Sequence, residues 1–155
     1  MVRDIADRIT WVAVADGEKS IILRNVDSDS RPDLRVMAAE EIDNPPDREQ
    51  SAGRPGRMND GRAGGVRKSS FEETDFHRLA KTQFARNFVA RLNHAAKSNA
   101  FDRVIIIAPA ATLGEMRAHY GHDLTQRVAA EIDKDLTNHP VEDIEKAVAK
   151  GLSQV

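Results

Sequence analysis

The run Asp102-Arg-Val-Ile-Ile-Ile-Ala108 constrains the fold of this chain more than any other stretch. Its unbroken aliphatic centre cannot alternate between a wet face and a dry one. A strand of this kind is covered on both faces and sits centrally in a sheet. A small-residue turn follows at Pro109, and Thr112 with Glu115 offers a capping box that opens a helix reaching to about Tyr120. Leu124–Leu136 fits two periods. Leu124, Val128, Ile132 and Leu136 suit a helix, whereas Val128, Ala130 and Ile132 suit a strand. A short strand near Arg127–Ile132 would complete the sheet. Pro140 is placed as the first residue of a last helix, with Glu142 and Asp143 in its first turn and Val141, Ile144 and Val148 as its apolar stripe.

The N-terminal third has the other period. Thr10–Ala15 and Ser20–Asn25 are rich in β-branched residues, and Asp16-Gly17 between them is a hairpin signal of the I′ kind. A turn cluster over Asp27–Asp33 leads to a third strand at Leu34–Ala39, which makes a β-meander. The first long helix is expected from about Phe71 to about Lys97. It is opened by a Ser70/Glu73 capping box, stopped at Ser98 and Asn99, and striped by Phe76, Leu79, Ala80, Phe84, Phe88, Leu92 and Ala95. That stripe, with Phe76, Phe84 and Phe88 at its centre, is expected to be core.

Between meander and helix lies Asn44–Lys68, with three prolines, five glycines and almost no apolar side chain. Such a segment cannot bury enough surface to offset its ordering entropy, so a long mobile loop over residues 44–68 is expected. From Arg48 to Lys68 it holds six basic residues against Glu49 and Asp60, a local excess of +4 in a chain of net charge −2. Arg54, Arg57, Arg62, Arg67 and Lys68 among glycines could clamp phosphates, as RNA-binding arms do. The loop has no aromatic residue to stack bases, and a solvated basic loop is the plainer reading.

Other sites are thinner. Asp16 ends the first strand, where a carboxylate can hold a metal if others converge, and Asp133 and Asp135 are the candidates by topology. The Asp-Gly turn accounts for Asp16 more simply. His119 and His122 are three apart, but Gly121 separates them, and His77, His94 and His139 lie elsewhere, so no zinc set is apparent. Ser69, Ser70 and Thr112 stand near helix starts with no paired base. Gly64-Gly65 lacks the lysine and hydroxyl of a phosphate-cradling loop. No acid–base–nucleophile set can be assembled, and no cofactor or metal is implied.

The chain's 155 residues suit a single domain that needs no staples, and the absence of cysteine excludes disulfide and thiolate chemistry. No apolar run approaches the ~18 residues of a membrane span, and the charged start does not read as a signal peptide, so the expected compartment is the cytoplasm. Neither the oligomeric state nor a partner can be read from these features.

The element order is that of an α/β domain in three layers, an antiparallel meander followed by α-β units. RNase H-like sheets and the middle domain of release factors share that layout. Three short motifs carry a resemblance: Val14-Ala15-Asp16-Gly17, Ile107-Ala108-Pro109 before Leu113-Gly114-Glu115-Met116-Arg117, and Glu131-Ile132-Asp133-Lys134-Asp135-Leu136-Thr137. With them the chain resembles the bacterial host attachment protein family, proteins required for attachment to host cells. The resemblance implies a non-enzymatic protein that supports attachment. That family is similar in fold to the middle domain of archaeal and eukaryotic peptide-chain release factors, which carries a Gly-Gly-Gln tip in a long loop before a long helix. The alternative it implies is an RNA- or ribosome-associated binding module. Gly64-Gly65 stands in a comparable place here, but Val66 follows where glutamine would be, so this alternative carries no peptide-release activity.

Overall fold

The computed structural model describes residues 8–42 and 62–154; within the helix that opens at Arg62, side chains are described from Phe76 onward. Five strands form one mixed sheet. They are β1 (Thr10–Ala15), β2 (Lys19–Asn25), β3 (Leu34–Glu41), β4 (Arg103–Ala108) and β5 (Val128–Asp133). Among the described residues the helices are α1 (Arg62–Lys97), α2 (Ala110–Arg117), α3 (His122–Arg127) and α4 (Val141–Ser153).

The sheet order is β3-β2-β1-β4-β5. The meander is antiparallel, while β1, β4 and β5 run parallel. The aliphatic run therefore lies inside the sheet, as its composition requires. Ile105 and Ile107 face one side, Val104 and Ile106 face the other, and all four are fully buried. On the first side Val12, Val14, Leu23, Ile105 and Ile107 pack on Ile144 and Val148 of α4 and on Leu136. On the second side Ala13, Ile22, Val104 and Ile106 pack on Phe88, Val89 and Leu92 of α1, with Leu113 and Met116 of α2 and Leu124 of α3. The result is a three-layer α/β domain. Truncating a fully buried side chain such as Phe88 or Ile106 to alanine would cost about 2–5 kcal/mol.

The ambiguous segment is both things in turn. Its first residues wind the short helix α3, and the chain becomes β5 at Val128. Pro140 caps α4 rather than opening it: its φ of −65° already suits helix entry, and the helix starts one residue later. The stop at the end of α1 is a Schellman motif. Asn99 takes a left-handed φ of 59°, its N–H reaches the Ala96 carbonyl, and the Ala100 N–H reaches the Ala95 carbonyl.

Four expectations need correction. The helix α1 opens at Arg62, not near Phe71, so residues 62–68 are helical, and Ser70 lies inside a helix instead of capping one. Glycine weakens a helix by only about 1 kcal/mol per residue, which a 36-residue helix absorbs. The rest of the expected loop, residues 44–61 with Arg54 and Arg57, lies outside the described residues. Thr112 is likewise within α2, whose cap is Pro109, and α2 ends at Arg117. Phe76 and Leu79 are not core: they are 63% and 67% exposed, because at 100° per residue they point away from the buried positions Ala85, Phe88, Val89, Leu92 and Ala96. The hairpin at Asp16-Gly17 has positive φ only at Gly17, so it is not the I′ turn, which needs positive φ at both central residues.

Candidate functional site

The parallel strands β1 and β4 are neighbours, yet their chains leave in opposite directions, β1 to β2 on one side and β4 to β5 on the other. In open α/β sheets, ligands bind outside the carboxyl ends of strands at such a divide. Here that edge carries the Asp16-Gly17 turn, Pro109 and the start of α2, and the segment after β5.

Asp16 organises this edge. Its Oδ1 accepts the backbone N–H groups of Glu18 at 2.9 Å and Lys19 at 2.8 Å. Its Oδ2 accepts the Thr137 hydroxyl at 2.6 Å. Asp135 Oδ1 stands 3.4 Å from the same hydroxyl, and Lys19 Nζ donates to Asn138 Oδ1 at 2.8 Å. So the structure brings Asp16 and Asp135 to one threonine. It leaves Asp133 at the end of β5, exposed, in register with Ala108. Both Asp16 oxygens are engaged by protein donors. Among the described residues no group of three or more His, Cys, Asp or Glu side chains is arranged to hold a metal. Asp16 acts as the hairpin residue and as a tether between distant segments. Thr137 was the residue missed, and no local spacing could have linked it to Asp16.

The helix α1 passes over this edge. A Cβ built on Gly17 would sit 3.8 Å from Thr112 Oγ1 and 3.9 Å from Lys81 Cβ, so Lys81 marks where α1 crosses the hairpin. From Arg62 to Lys81 the helix has about nineteen residues, which at 1.5 Å each is about 28 Å of helix path. None of its described residues before Ala85 is buried. Of the basic residues singled out in the sequence, Arg62, Arg67 and Lys68 lie on this arm, as does Gly64-Gly65-Val66.

Two polar clusters hold the other helices. Asn93 of α1 accepts the Gly121 N–H at 2.8 Å and donates to the His119 carbonyl at 3.0 Å, clamping the α2–α3 turn. Glu131 of β5 accepts Arg117 Nε at 2.8 Å and the Tyr120 hydroxyl at 2.7 Å. Burial alone would raise the Glu131 carboxyl, but the hydrogen bonds from Arg117 and Tyr120 outweigh it and hold the group below its ordinary range. Burial, then the bond to Glu131, pushes the Tyr120 phenol well above its ordinary value. His119 accepts from Arg86 Nε at 3.3 Å, and His122 opens α3. These contacts are structural.

Residues 9–148 match the family described as bacterial archaeo-eukaryotic release factor family 12. No curated protein matches the chain. Among solved structures, the crystal structure of an archaeal translation termination factor, aRF1, is similar at a TM-score of 0.49 and 11% identity. That similarity covers 94% of this chain and 37% of the archaeal one, so the chain spans well under half of that protein's length. The family match extends from the start of β1 into α4 and takes in every described strand and helix, and the chain belongs to the bacterial archaeo-eukaryotic release factor family 12.

Proposed function

We propose that the protein is an RNA- or ribosome-associated binding module that does not catalyse peptide release. The observation that carries this reading is the arm of α1, which runs past the carboxyl edge of the sheet with none of its described side chains buried before Ala85. It bears Arg62, Arg67 and Lys68 and follows a stretch that holds Arg54 and Arg57. Membership of a release-factor family supports an RNA partner over other polyanions. Clustered cations bind nucleic acid by releasing condensed counterions, which needs no base-specific contact.

Val66 sets the limit of the activity. A valine side chain has no donor or acceptor with which to position water or stabilise a leaving 3′-oxygen at the place where the release-factor resemblance calls for glutamine. The role in attachment to host cells that the sequence resemblance implies draws no support from the fold, the site or the family, and we do not propose it.

The test is a salt titration of binding to a ribosomal RNA fragment. Replacing Arg54, Arg57, Arg62 and Arg67 together by alanine is expected to weaken binding and to flatten its dependence on salt. Affinity unchanged by the four substitutions would refute the arm as the binding element, and peptide release from peptidyl-tRNA would refute the limit set by Val66.

A further inference from the structure

The sheet ends in two edge strands, β3 and β5, and they differ in what they would meet in a second copy of the chain. An antiparallel pair made by a two-fold axis perpendicular to the sheet sets same-face residues opposite each other. On β5, Glu131 and Asp133 share the face of Ile106 and Ala108. An axis at Ile132 sets Glu131 against Asp133, and an axis at either acid sets it against itself. Like charges directly opposite disfavour each of these pairings.

The other edge, β3, is more open. Of its eight residues only Leu34 is buried, and Val36 and Met37 stand 55% and 49% exposed. The apolar run Val36-Met37-Ala38-Ala39 lies between Arg35 and the acids Glu40 and Glu41. The register against β2 slips once, from Ile22–Ala38 to Leu23–Val36, so Met37 is an extra residue in β3. That bulge shifts the alternation of side chains. Arg35 lies in line with Arg24 and Trp11, on the side of the sheet that α1 covers, and Glu40 contacts Arg91 of α1. The two charges therefore share a face although they are five residues apart. Val36, across from Leu23, and Ala39, across from Ile21, share the other face.

A bulge on an edge strand ordinarily blunts pairing. A second copy carries the same bulge, and the two-fold axis matches one to the other. With the axis between Met37 and Ala38, Arg35 of each copy meets Glu40 of the other, Val36 meets Ala39, and Met37 meets Ala38. A slip of one residue sets Arg35 against Ala39 or Glu41, which point to the opposite face. Both charged groups have atoms to spare for this contact. Arg35 grips Asp33 through Nε and Nη2, at 3.0 Å each, which leaves Nη1. Glu40 accepts Arg91 at Oε1, which leaves Oε2. Across the axis the row Asp33, Arg35, Glu40, Arg91 alternates in sign.

We infer that β3 is a self-association edge, through which two copies of the chain join their five-stranded sheets into one. Eight paired residues make a seam about 26 Å long. A seam that short, with its charges at an exposed rim, makes a reversible dimer and not an obligate one. The inference is independent of the RNA-binding reading.

Sedimentation velocity of the 155-residue chain over a concentration series is expected to show a monomer–dimer equilibrium. Arg35→Glu and Glu40→Arg are each expected to weaken the dimer about 10-fold or more, since each sets like charges opposite one another twice across the axis. An equimolar mixture of the two variants is expected to dimerise again, because each altered charge then meets its opposite in the other copy. Val36→Lys, at an exposed position, is expected to abolish the dimer by placing a charge in the apolar centre of the seam. Urea unfolding checks that the variants keep the parent fold, to which exposed ion pairs contribute little. A parent protein monomeric at about 1 mM, or a dimer that neither Arg35→Glu nor Val36→Lys weakens, would overturn the inference. Charge variants that weaken the dimer singly yet fail to associate when mixed would overturn the Arg35–Glu40 register.

Discussion

The Thr137 hydroxyl donates to the Asp16 carboxylate at 2.6 Å, tying the first hairpin to the segment after β5 across 121 residues of chain. Thr137 is buried, and Asp16 is also fixed by the N–H groups of its own turn. The bond therefore closes the carboxyl edge of the sheet, where β1 and β4 part. A hydrogen bond to a charged acceptor contributes about 1.5–3 kcal/mol, and a stranded partner adds its desolvation. Thr137→Val keeps the shape and removes the donor. We expect it to lower unfolding free energy in urea by about 1–3 kcal/mol. A loss under about 0.5 kcal/mol would show that Asp16 is held by its turn alone.

Gly17 isolates backbone strain from packing. Its φ of 92° is unfavourable for a residue with a Cβ, yet an added Cβ would meet nothing nearer than 3.8 Å. Gly17→Ala is then expected to cost about 1–2 kcal/mol through conformation alone. A thermal melt matching the parent would mean that the hairpin relaxes into a different turn.

Tyr120 is the single tyrosine of the chain, so tyrosinate absorbance reports on it alone. Its phenol is raised above the ordinary 10.0 by burial and by the bond to Glu131. The sign follows: the interaction contributes in full below the ordinary value and is lost as pH rises through the higher folded one. Absorbance in the native protein should stay flat as pH passes 10 and rise only at more alkaline pH or on unfolding. Glu131→Gln should bring the rise to lower pH, since it removes the charged acceptor. A parent protein that ionises at the ordinary value would contradict the Tyr120–Glu131 geometry.

Legibility in the sequence followed the range of the interactions. The meander, the central position of Ile105 and Ile107 and the stop at Asn99 come from local periodicity and backbone preference, and the structure shows each. The start of α1 did not come through, because Gly64-Gly65 is a strong local breaker that a long helix overrides. Phe76 and Leu79 fit a loose helical spacing, but at 100° per residue they point away from the buried positions Ala85, Phe88, Val89, Leu92 and Ala96. Asp16 was visible as a turn residue. Its partner Thr137 was not, since tertiary contact alone brings the two together. Of the basic residues, Arg62, Arg67 and Lys68 find a place on the arm, whereas Arg54 and Arg57 lie outside the described residues.

The central claim, that this release-factor-family domain binds RNA without releasing peptide, is tested most directly by sedimenting the protein with ribosomes bearing peptidyl-tRNA while following peptide release. We expect the protein to pellet with ribosomes at low salt and to leave them as salt rises, with a steep loss when Arg54, Arg57, Arg62 and Arg67 are replaced by alanine. Peptide should stay on the tRNA throughout. Protein that remains in the supernatant at low salt, or peptide released in its presence above the spontaneous rate, would contradict the account.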